Sequence, residues 1–299
     1  MKRSILFFGG SSLLALNWAK IIYKKWNVTI LLHKRKIEFP KVNILSIKKI
    51  SEDSVSTILT QVKPLVVVNC AAITNIEKCE SEKKNAKLVN TSLPQIISKL
   101  CDSMKIKFIH ISSDHLFDGS KSFYKESELT HPLNYYSNTK VMSEKLVNKF
   151  NKNALIVRTN FYAWGPSYRK SFSDLIIESL RKGSKLKLFN DVYYTPILIS
   201  ELVRILHLSI EKNISGILNV CSDERISKYE FGINICEHFK LLKSLINPIS
   251  IKEMKHLVKR PMDMSLSNKK LKELLNTKVK PLKYQIEILK NEEKNKINI

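Results

Sequence analysis

The residues whose types and spacing could carry out chemistry lie between positions 112 and 140. Ser113 follows a short β-rich run, and Tyr136 and Lys140 stand four residues apart in a segment with apolar residues at helical spacing. On a helix these two positions share a face. A phenol has an ordinary pKa of about 10, and a nearby cation favours its phenolate. A hydroxyl at a strand end and this pair would together form a proton-transfer site.

The Tyr–Lys spacing alone is weakly informative. The chain has 10 Tyr, and 51 of its 299 residues are Lys or Arg, so this spacing also arises by chance. Its context adds specificity, because the pair follows a strand-like run from Lys107 to Ile111 that leads into Ser-Ser-Asp.

The elements that position these residues are apolar runs in which strand and helix patterns alternate. This alternation predicts an α/β fold with a doubly wound parallel sheet. Strands are predicted at 4–8, 28–32, 64–68, 107–111, 154–159 and 217–220. Helices are predicted at 13–25, 51–62, 136–150, 172–182 and 229–239, with Ser51 as a helix cap. The last strand and the last helix are assigned to a smaller second domain.

Composition limits the function classes. The formal charge of +24 is spread along the chain and mostly reflects its Lys-rich composition, although it also favours anionic small molecules or nonspecific nucleic-acid contact. No zinc-finger or RNA-binding signature supports a specific nucleic-acid partner. Five scattered Cys without Cys-x-x-Cys indicate free thiols in a reducing compartment and no metal site. No apolar run reaches membrane-spanning length, and Gly9-Gly10 interrupts the one signal-like stretch, so we expect a cytoplasmic protein. The sequence does not indicate the oligomeric state, and a homodimer is one alternative.

The central stretch resembles a known family. It reads Ser112-Ser113-Asp114-His115-Leu116-Phe117-Asp118-Gly119, followed by Tyr136 and Lys140. This is similar to the Ser-Thr-Asp-Tyr-Val-Phe-Asp-Gly and Tyr-x-x-x-Lys motifs of the extended short-chain dehydrogenase/reductases. Within them it most resembles the reductases of nucleotide-activated 4-keto-6-deoxysugars, with the dTDP-4-dehydrorhamnose reductase family as the type. The resemblance runs from the first strand to about Leu271.

The resemblance implies hydride transfer from NADPH to the 4-keto carbon of a nucleotide-linked 6-deoxysugar. In that reaction Tyr136 protonates the developing alkoxide and Ser113 donates a hydrogen bond to the carbonyl oxygen. Lys140 lowers the pKa of Tyr136 and holds the nicotinamide ribose.

The same resemblance implies a cofactor site after the first strand. The family has Gly-x-x-Gly-x-x-Gly there, where this chain has Gly9, Ser12 and Ala15. The Cβ of Ser12 crowds the phosphate route, but its hydroxyl could bond the phosphate. The expected cofactor residues are Gly9, Ser11, Ser12, Leu13, His33, Lys34, Arg35, Asn69, Ala71, Ala72, Tyr136 and Lys140.

The second strand ends in His33-Lys34-Arg35. An NAD-specific member would usually have an acid there for the ribose hydroxyls, whereas cations suit a 2′-phosphate. NADP is therefore the predicted cofactor, and a solvated basic loop is the alternative.

Four residues are expected to contact substrate, with no metal: Thr74, Asp114, Phe161 and Arg260. Phe161 replaces the Trp of the family motif and keeps an aromatic wall. Arg260-Pro261 and Ser265 resemble the family's Arg-Pro-x-x-Ser near the substrate phosphates. Residues 1–160 are predicted as the NADP-binding domain, residues 161–299 mainly as the substrate domain, and residues 187–211 as a segment that returns to the first domain.

Two rival functions remain open. A dehydratase of the superfamily would place a second carboxylate where this chain has His115, and an epimerase would favour an acid after the second strand. A non-catalytic NADP-binding regulatory subunit, like the β subunit of methionine adenosyltransferase, has the same fold and a close Ser-Ser-Asp match. The triad therefore does not by itself imply turnover.

Overall fold

The structure is a computed structural model that describes residues 2–297. Its strands are β1 Ser4–Phe8, β2 Asn27–Leu32, β3 Asn43–Ser46, β4 Val66–Asn69, β5 Lys107–Ile111, β6 Leu155–Arg158, β7 Phe161–Tyr162, β8 Leu186–Phe189, β9 Tyr193–Tyr194, β10 Ile197–Leu198, β11 Gly216–Asn219, β12 Ile226–Ser227 and β13 Ile246–Ile249. Its α-helices are α1 Leu13–Ile22, α2 Glu52–Val62, α3 Ile76–Ser81, α4 Lys83–Lys87, α5 Leu93–Ser103, α6 Tyr135–Phe150, α7 Phe172–Arg181, α8 Ile199–Glu211, α9 Lys228–Phe239, α10 Lys269–Leu275 and α11 Leu282–Glu292. Within the described range, no helix is long and apolar enough to cross a membrane.

Seven parallel strands form the central sheet in the order β11-β6-β5-β4-β1-β2-β3. The chain proceeds from β1 to β2 and β3 on one side, and then through β4, β5 and β6 on the other. The strand order therefore reverses beside β1, and a crevice opens at the carboxyl ends of β1 and β4, where such folds bind ligands. The predicted doubly wound sheet is confirmed.

Local sequence explains most element bounds. Val66, Val67 and Val68 of β4 are fully buried, as expected for a parallel strand covered on both faces. The predicted cap is confirmed, because the Ser51 side chain accepts a hydrogen bond from Ser54 N at the start of α2. Helix α1 ends at Ile22, earlier than predicted, because the chain turns there towards β2.

The sequence pattern assigns the strand near 217–220 to the smaller domain, and this placement is wrong. β11 is an edge strand of the central sheet and pairs with β6, with Gly216 opposite Leu155 and Asn219 opposite Arg158. Hydrophobic periodicity predicts a strand but does not identify its neighbour, which here lies far earlier in the chain.

A second hydrophobic core lies outside the sheet. Helices α7, α9 and α11 form it with three two-stranded sheets, β10–β7, β12–β9 and β13–β8. Phe231 is fully buried in this core and packs against the rings of Tyr162, Phe172 and Tyr194. Helix α8, in contrast, belongs to the core around α1. The proposed division into two domains stays a prediction.

Candidate active site

The carboxyl ends of β4, β5 and β6 surround a cavity of about 330 Å³. Parallel strands end at the same edge of a sheet, so segments distant in the chain meet there. The predicted site residues that line this cavity are Ser12, Leu13, Ala72, Thr74, Ser113, Asp114, Tyr136, Lys140 and Phe161.

The start of α6 fixes the direction of Tyr136. Asn134 caps this helix, because its Oδ1 accepts a hydrogen bond from Ser137 N at 2.9 Å. Tyr135 N donates to Glu80 Oε1 at 2.7 Å, which satisfies a second free N–H of the first turn. The helix therefore begins at a defined residue, and Tyr136 faces the cavity.

Tyr136 is a buried phenol, with 7% of its surface exposed. Burial is the main cause that raises the pKa of Tyr136 above its ordinary value, and a hydrogen bond with the Ser113 side chain opposes this shift. The positive charge of Arg169 also lowers the pKa of Tyr136. The phenol is therefore protonated at neutral pH and faces a hydroxyl group.

Ser113 and Asp114 are held by a short network after β5. The Ser113 hydroxyl accepts a hydrogen bond from His115 N at 3.2 Å and donates one to Asp114 Oδ1 at 3.3 Å. Asp114 Oδ2 accepts from Asn160 Nδ2 at 2.8 Å. These contacts fix Ser113 beside Tyr136 in a buried part of the cavity.

The Lys140 ammonium contacts β5. Its Nζ donates to Ile111 O at 2.8 Å and lies 3.5 Å from His110 Nε2. Burial lowers the pKa of Lys140 to about 8. The effect of Lys140 on Tyr136 that the family resemblance implies stays a prediction.

This low pKa gives a testable pH dependence. Lys140 has an ordinary pKa of 10.5, so between pH 8 and 10.5 it binds fewer protons folded than unfolded. Its contribution to the free energy of unfolding therefore rises with pH in this window, by up to about 1.4 kcal/mol per pH unit. We expect wild type to gain stability over Lys140→Met between pH 8 and pH 10 in denaturant titrations. Parallel pH profiles would contradict a buried, titrating Lys140.

The turn between β1 and α1 lies close to the end of β4. Gly9 has a φ of +73°, and a Cβ there would lie 2.6 Å from Ala71 Cα, so only glycine fits. Ser12 caps α1, because its hydroxyl accepts a hydrogen bond from Ala15 N at 3.2 Å. The serine that replaces glycine in the family motif thus occupies one N–H of the helix start.

A second cavity of about 290 Å³ extends from this turn to the end of β2. Ser12, Cys70, Ala72 and Arg169 line both cavities, which are therefore adjacent. The predicted cofactor residues that line the second cavity are Gly9, Ser11, Ser12, His33, Lys34, Arg35, Ala71 and Ala72.

Two predicted residues line neither cavity. Asn69 is buried behind the turn, where its Oδ1 accepts from Ala71 N and its Nδ2 contacts His110 Nδ1. Arg260 forms an ion pair with Glu77 and donates to Val258 O. Within residues 2–297, no group of three or more His, Cys, Asp or Glu is arranged to hold a metal ion.

Sequence reasoning missed several residues of the first cavity, among them His115, Asn160 and Arg169. The His115 ring lies edge-on to Tyr136, with the ring centroids 6.0 Å apart, and its buried Nδ1 has no hydrogen-bond partner among the described residues. Burial lowers the pKa of His115, so the ring is neutral at pH 7 and offers one donor and one acceptor. Its departure from the Tyr of the family motif is the signal that could have identified it.

The parallel sheet, the tight glycine turn and the Ser–Tyr–Lys set define a protein of the short-chain dehydrogenase/reductase class. More narrowly, the chain belongs to the family described as RmlD substrate binding domain, whose sequence profile matches residues 2–294.

Three curated relatives are similar in sequence. A Haloferax volcanii protein named "Probable low-salt glycan biosynthesis reductase Agl14" is 33% identical over 179 residues, and this match spans 58% of the chain and 59% of the relative. The dTDP-4-dehydrorhamnose reductase of Aggregatibacter actinomycetemcomitans is 26% identical over 90% of the chain and 92% of its own length. Methionine adenosyltransferase 2 subunit beta of Xenopus laevis is 26% identical over 75% of the chain and 69% of its own length.

A solved structure supports the fold. A dTDP-4-dehydrorhamnose reductase from Bacillus anthracis in complex with NADP superimposes with a TM-score of 0.83 at 19% identity. The alignment covers 98% of this chain and all of the other. The chain therefore has the fold of that reductase.

Proposed function

We propose that this protein reduces the 4-keto group of a nucleotide-activated 6-deoxysugar with NADPH, as a dTDP-4-dehydrorhamnose reductase does. The observation that carries the proposal is a pair of adjacent cavities, with a phenol, a hydroxyl and an ammonium lining one and a basic cluster lining the other. A relative matched over 90% of the chain has that enzyme's name, and a fold neighbour binds NADP. An anionic sugar nucleotide as substrate and a cytoplasmic location belong to the same proposal.

The residues fit a dinucleotide. The tight turn at Gly9 lets the backbone approach a pyrophosphate, and α1 begins directly beside it. Lys34 and Arg35, with His33 beside them, give the second cavity a cationic donor set, as a 2′-phosphate requires. NADPH, when bound, supplies the hydride for the keto carbon.

The side chains would supply the proton and the polar contacts. Tyr136 gives its proton to the developing alkoxide, and burial keeps this phenol in the acid form that reduction needs by raising its pKa. Ser113 donates a hydrogen bond to the same oxygen. Lys140 adds positive charge in a buried cavity and holds the nicotinamide ribose. Asp114 and Phe161 would contact the sugar, beside Thr74.

Arg260 is proposed to bind the substrate diphosphate from the smaller domain, which is built mainly from residues 161–299. Its guanidinium would have to leave Glu77. We expect Arg260→Ala to raise the KM for the sugar nucleotide and to leave the Kd for NADPH unchanged, with Lys259→Ala as the matched control. Glu77→Gln should lower the same KM because it frees the guanidinium. A loss of NADPH affinity with an unchanged KM would contradict this placement.

The affinity for NADPH relative to NADH tests whether the basic residues after β2 bind a 2′-phosphate. Charge-assisted hydrogen bonds to a phosphate are each worth about 1.5–3 kcal/mol, so wild type should bind NADPH at least about 10-fold tighter than NADH. Arg35→Glu should reverse this preference, whereas Lys36→Glu, which lines neither cavity, should keep it. Fluorescence titration of both cofactors gives the ratio, and equal affinities in wild type would mean that the basic loop is only solvated surface.

A non-catalytic regulatory subunit is the second candidate. The sequence match to methionine adenosyltransferase 2 subunit beta favours it, and so does the contact of Lys140 with Ile111 O in place of Tyr136. A dehydratase is disfavoured because His115 stands where the second carboxylate would be, and an epimerase because β2 ends in cations.

The deciding experiment follows NADPH oxidation with and without dTDP-4-dehydrorhamnose. A reductase consumes NADPH only when the keto sugar is present, and the product carries a hydroxyl group at C4. A regulatory subunit binds NADPH, as seen in a fluorescence titration, but oxidises none with any 4-keto-6-deoxysugar nucleotide. This second result would contradict the proposed reductase activity and support the regulatory subunit.

A further inference from the structure

The loop of residues 165–170 crosses between the second core and the cofactor turn. Both of its ends are fixed on α7, because Gly165 N donates to Asp174 Oδ2 at 2.9 Å and Ser171 forms a reciprocal cap with Asp174. A Cβ at Gly165 would collide with Arg169 O, so the loop folds tightly back on itself. Such a loop presents its side chains in a defined direction.

Two neighbouring side chains of this loop reach opposite walls. Tyr168 Oη donates to Ser11 O at 3.2 Å, in the turn after β1, and its ring stacks on the Arg35 guanidinium with Cζ 4.0 Å from the ring centroid. Arg169 Nη2 donates to Thr74 Oγ1 at 3.3 Å, after β4. The loop therefore contacts both the turn after β1 and the segment after β4, beside the two cavities.

Arg169 holds a special position among the cations. Of the described Lys and Arg residues, it alone lines both cavities, whereas Lys140 and Lys170 line the first and Lys34 and Arg35 the second. The bond to Thr74 occupies one of the five N–H donors of its guanidinium.

The junction of the two cavities is where a bound dinucleotide must place its pyrophosphate. With the 2′-phosphate at Arg35 and the nicotinamide at Tyr136, the middle of the cofactor lies against Ser12 at the start of α1. Ser12 uses its hydroxyl to cap Ala15 N, which occupies one donor that a phosphate could otherwise use. A guanidinium at the junction can replace that donor and adds a positive charge.

We propose that Arg169 is a ligand of the cofactor pyrophosphate and that Tyr168 fixes the loop and orients Arg35, so that residues 165–170 clamp the dinucleotide across its middle. This inference rests on the proposed function, because it requires NADPH in these two cavities.

The test measures binding to the whole chain with three ligands. NADPH and 2′-phospho-ADP-ribose both contain the pyrophosphate, whereas adenosine 2′-monophosphate lacks it. Arg169→Gln should weaken the first two by similar factors of about 10- to 100-fold, the loss of a charge-assisted hydrogen bond, and should leave adenosine 2′-monophosphate unchanged. Arg169→Lys, which keeps the charge but loses the planar fork, should lie between wild type and Arg169→Gln.

One control variant and two possible outcomes separate this inference from its alternatives. Lys170→Gln removes the adjacent cation, which lines only the first cavity and pairs with Glu178, and should leave all three affinities unchanged. If Arg169→Gln binds all three ligands like wild type, or changes only the KM for the sugar nucleotide, the inference is wrong and the proposed function stands. If wild type binds no NADPH, both are wrong.

Discussion

Tyr136→Phe is expected to lower the turnover rate of keto-sugar reduction by about 10²- to 10⁴-fold, the usual contribution of a general acid. This corresponds to about 3–5 kcal/mol of the barrier. The variant should still fold, because the Tyr136 ring packs against Ile76, Cys79 and Ala86 and a phenylalanine ring fills the same space. Only the hydroxyl and its bond with Ser113 are lost.

The measurement is a steady-state rate at saturating NADPH and sugar nucleotide. The Kd for NADPH and the thermal midpoint should match those of wild type, which would show that the defect lies in the chemical step. If the variant keeps more than half of the wild-type rate, Tyr136 is not the acid. Loss of NADPH binding would instead indicate a damaged fold.

The protonation state of Tyr136 is consistent with its proposed role. Burial raises the pKa of this phenol, so at neutral pH it holds a proton that it can give. Reduction of a ketone needs such a proton donor.

Local patterns were sufficient to predict strands β1, β2, β4, β5, β6 and β11, helices α1, α2, α6, α7 and α9, and the location of Ser113, Tyr136 and Lys140 in one cavity. Each depends on spacing within one element, such as the helical interval between Tyr136 and Lys140. The pairing of β11 with β6 could not be predicted, because no local pattern indicates which strand lies next to another in the sheet. The central fold was nevertheless predictable, because alternating strands and helices admit few topologies.

The loop contacts beside the predicted cofactor cavity could not be predicted from the sequence, for a related reason. Tyr168 and Arg169 lie in a loop with no periodicity, and they meet Ser11 and Thr74 only after folding. Arg260 is another residue whose contact in the structure was not predicted. Its resemblance to the family's Arg-Pro-x-x-Ser implies a phosphate contact, which stays a prediction, but did not indicate the ion pair with Glu77 that the structure shows.

A buried ion pair connects α6, the helix of Tyr136 and Lys140, to the sheet. Glu144, one turn after Lys140 on α6, accepts hydrogen bonds from Arg158 at 2.7 Å and from the Ser112 hydroxyl at 2.5 Å. Glu144 and Arg158 are 4% and 2% exposed. This carboxylate therefore holds α6 against β6 and against the residue next to Ser113.

Glu144→Gln is expected to lower the free energy of unfolding by about 3–5 kcal/mol, because it leaves the Arg158 charge buried without its partner. Glu52→Gln is the matched control, since its ion pair with Lys99 is about half exposed and should contribute about 1 kcal/mol or less. Denaturant titrations of both variants give the two values, and equal losses would contradict a buried pair.

The double variant Glu144→Met/Arg158→Met should recover most of the stability, because replacing both charges removes their desolvation cost. Its turnover rate should nevertheless fall below that of wild type, since the hydrogen bond between the Ser112 hydroxyl and Glu144 is lost.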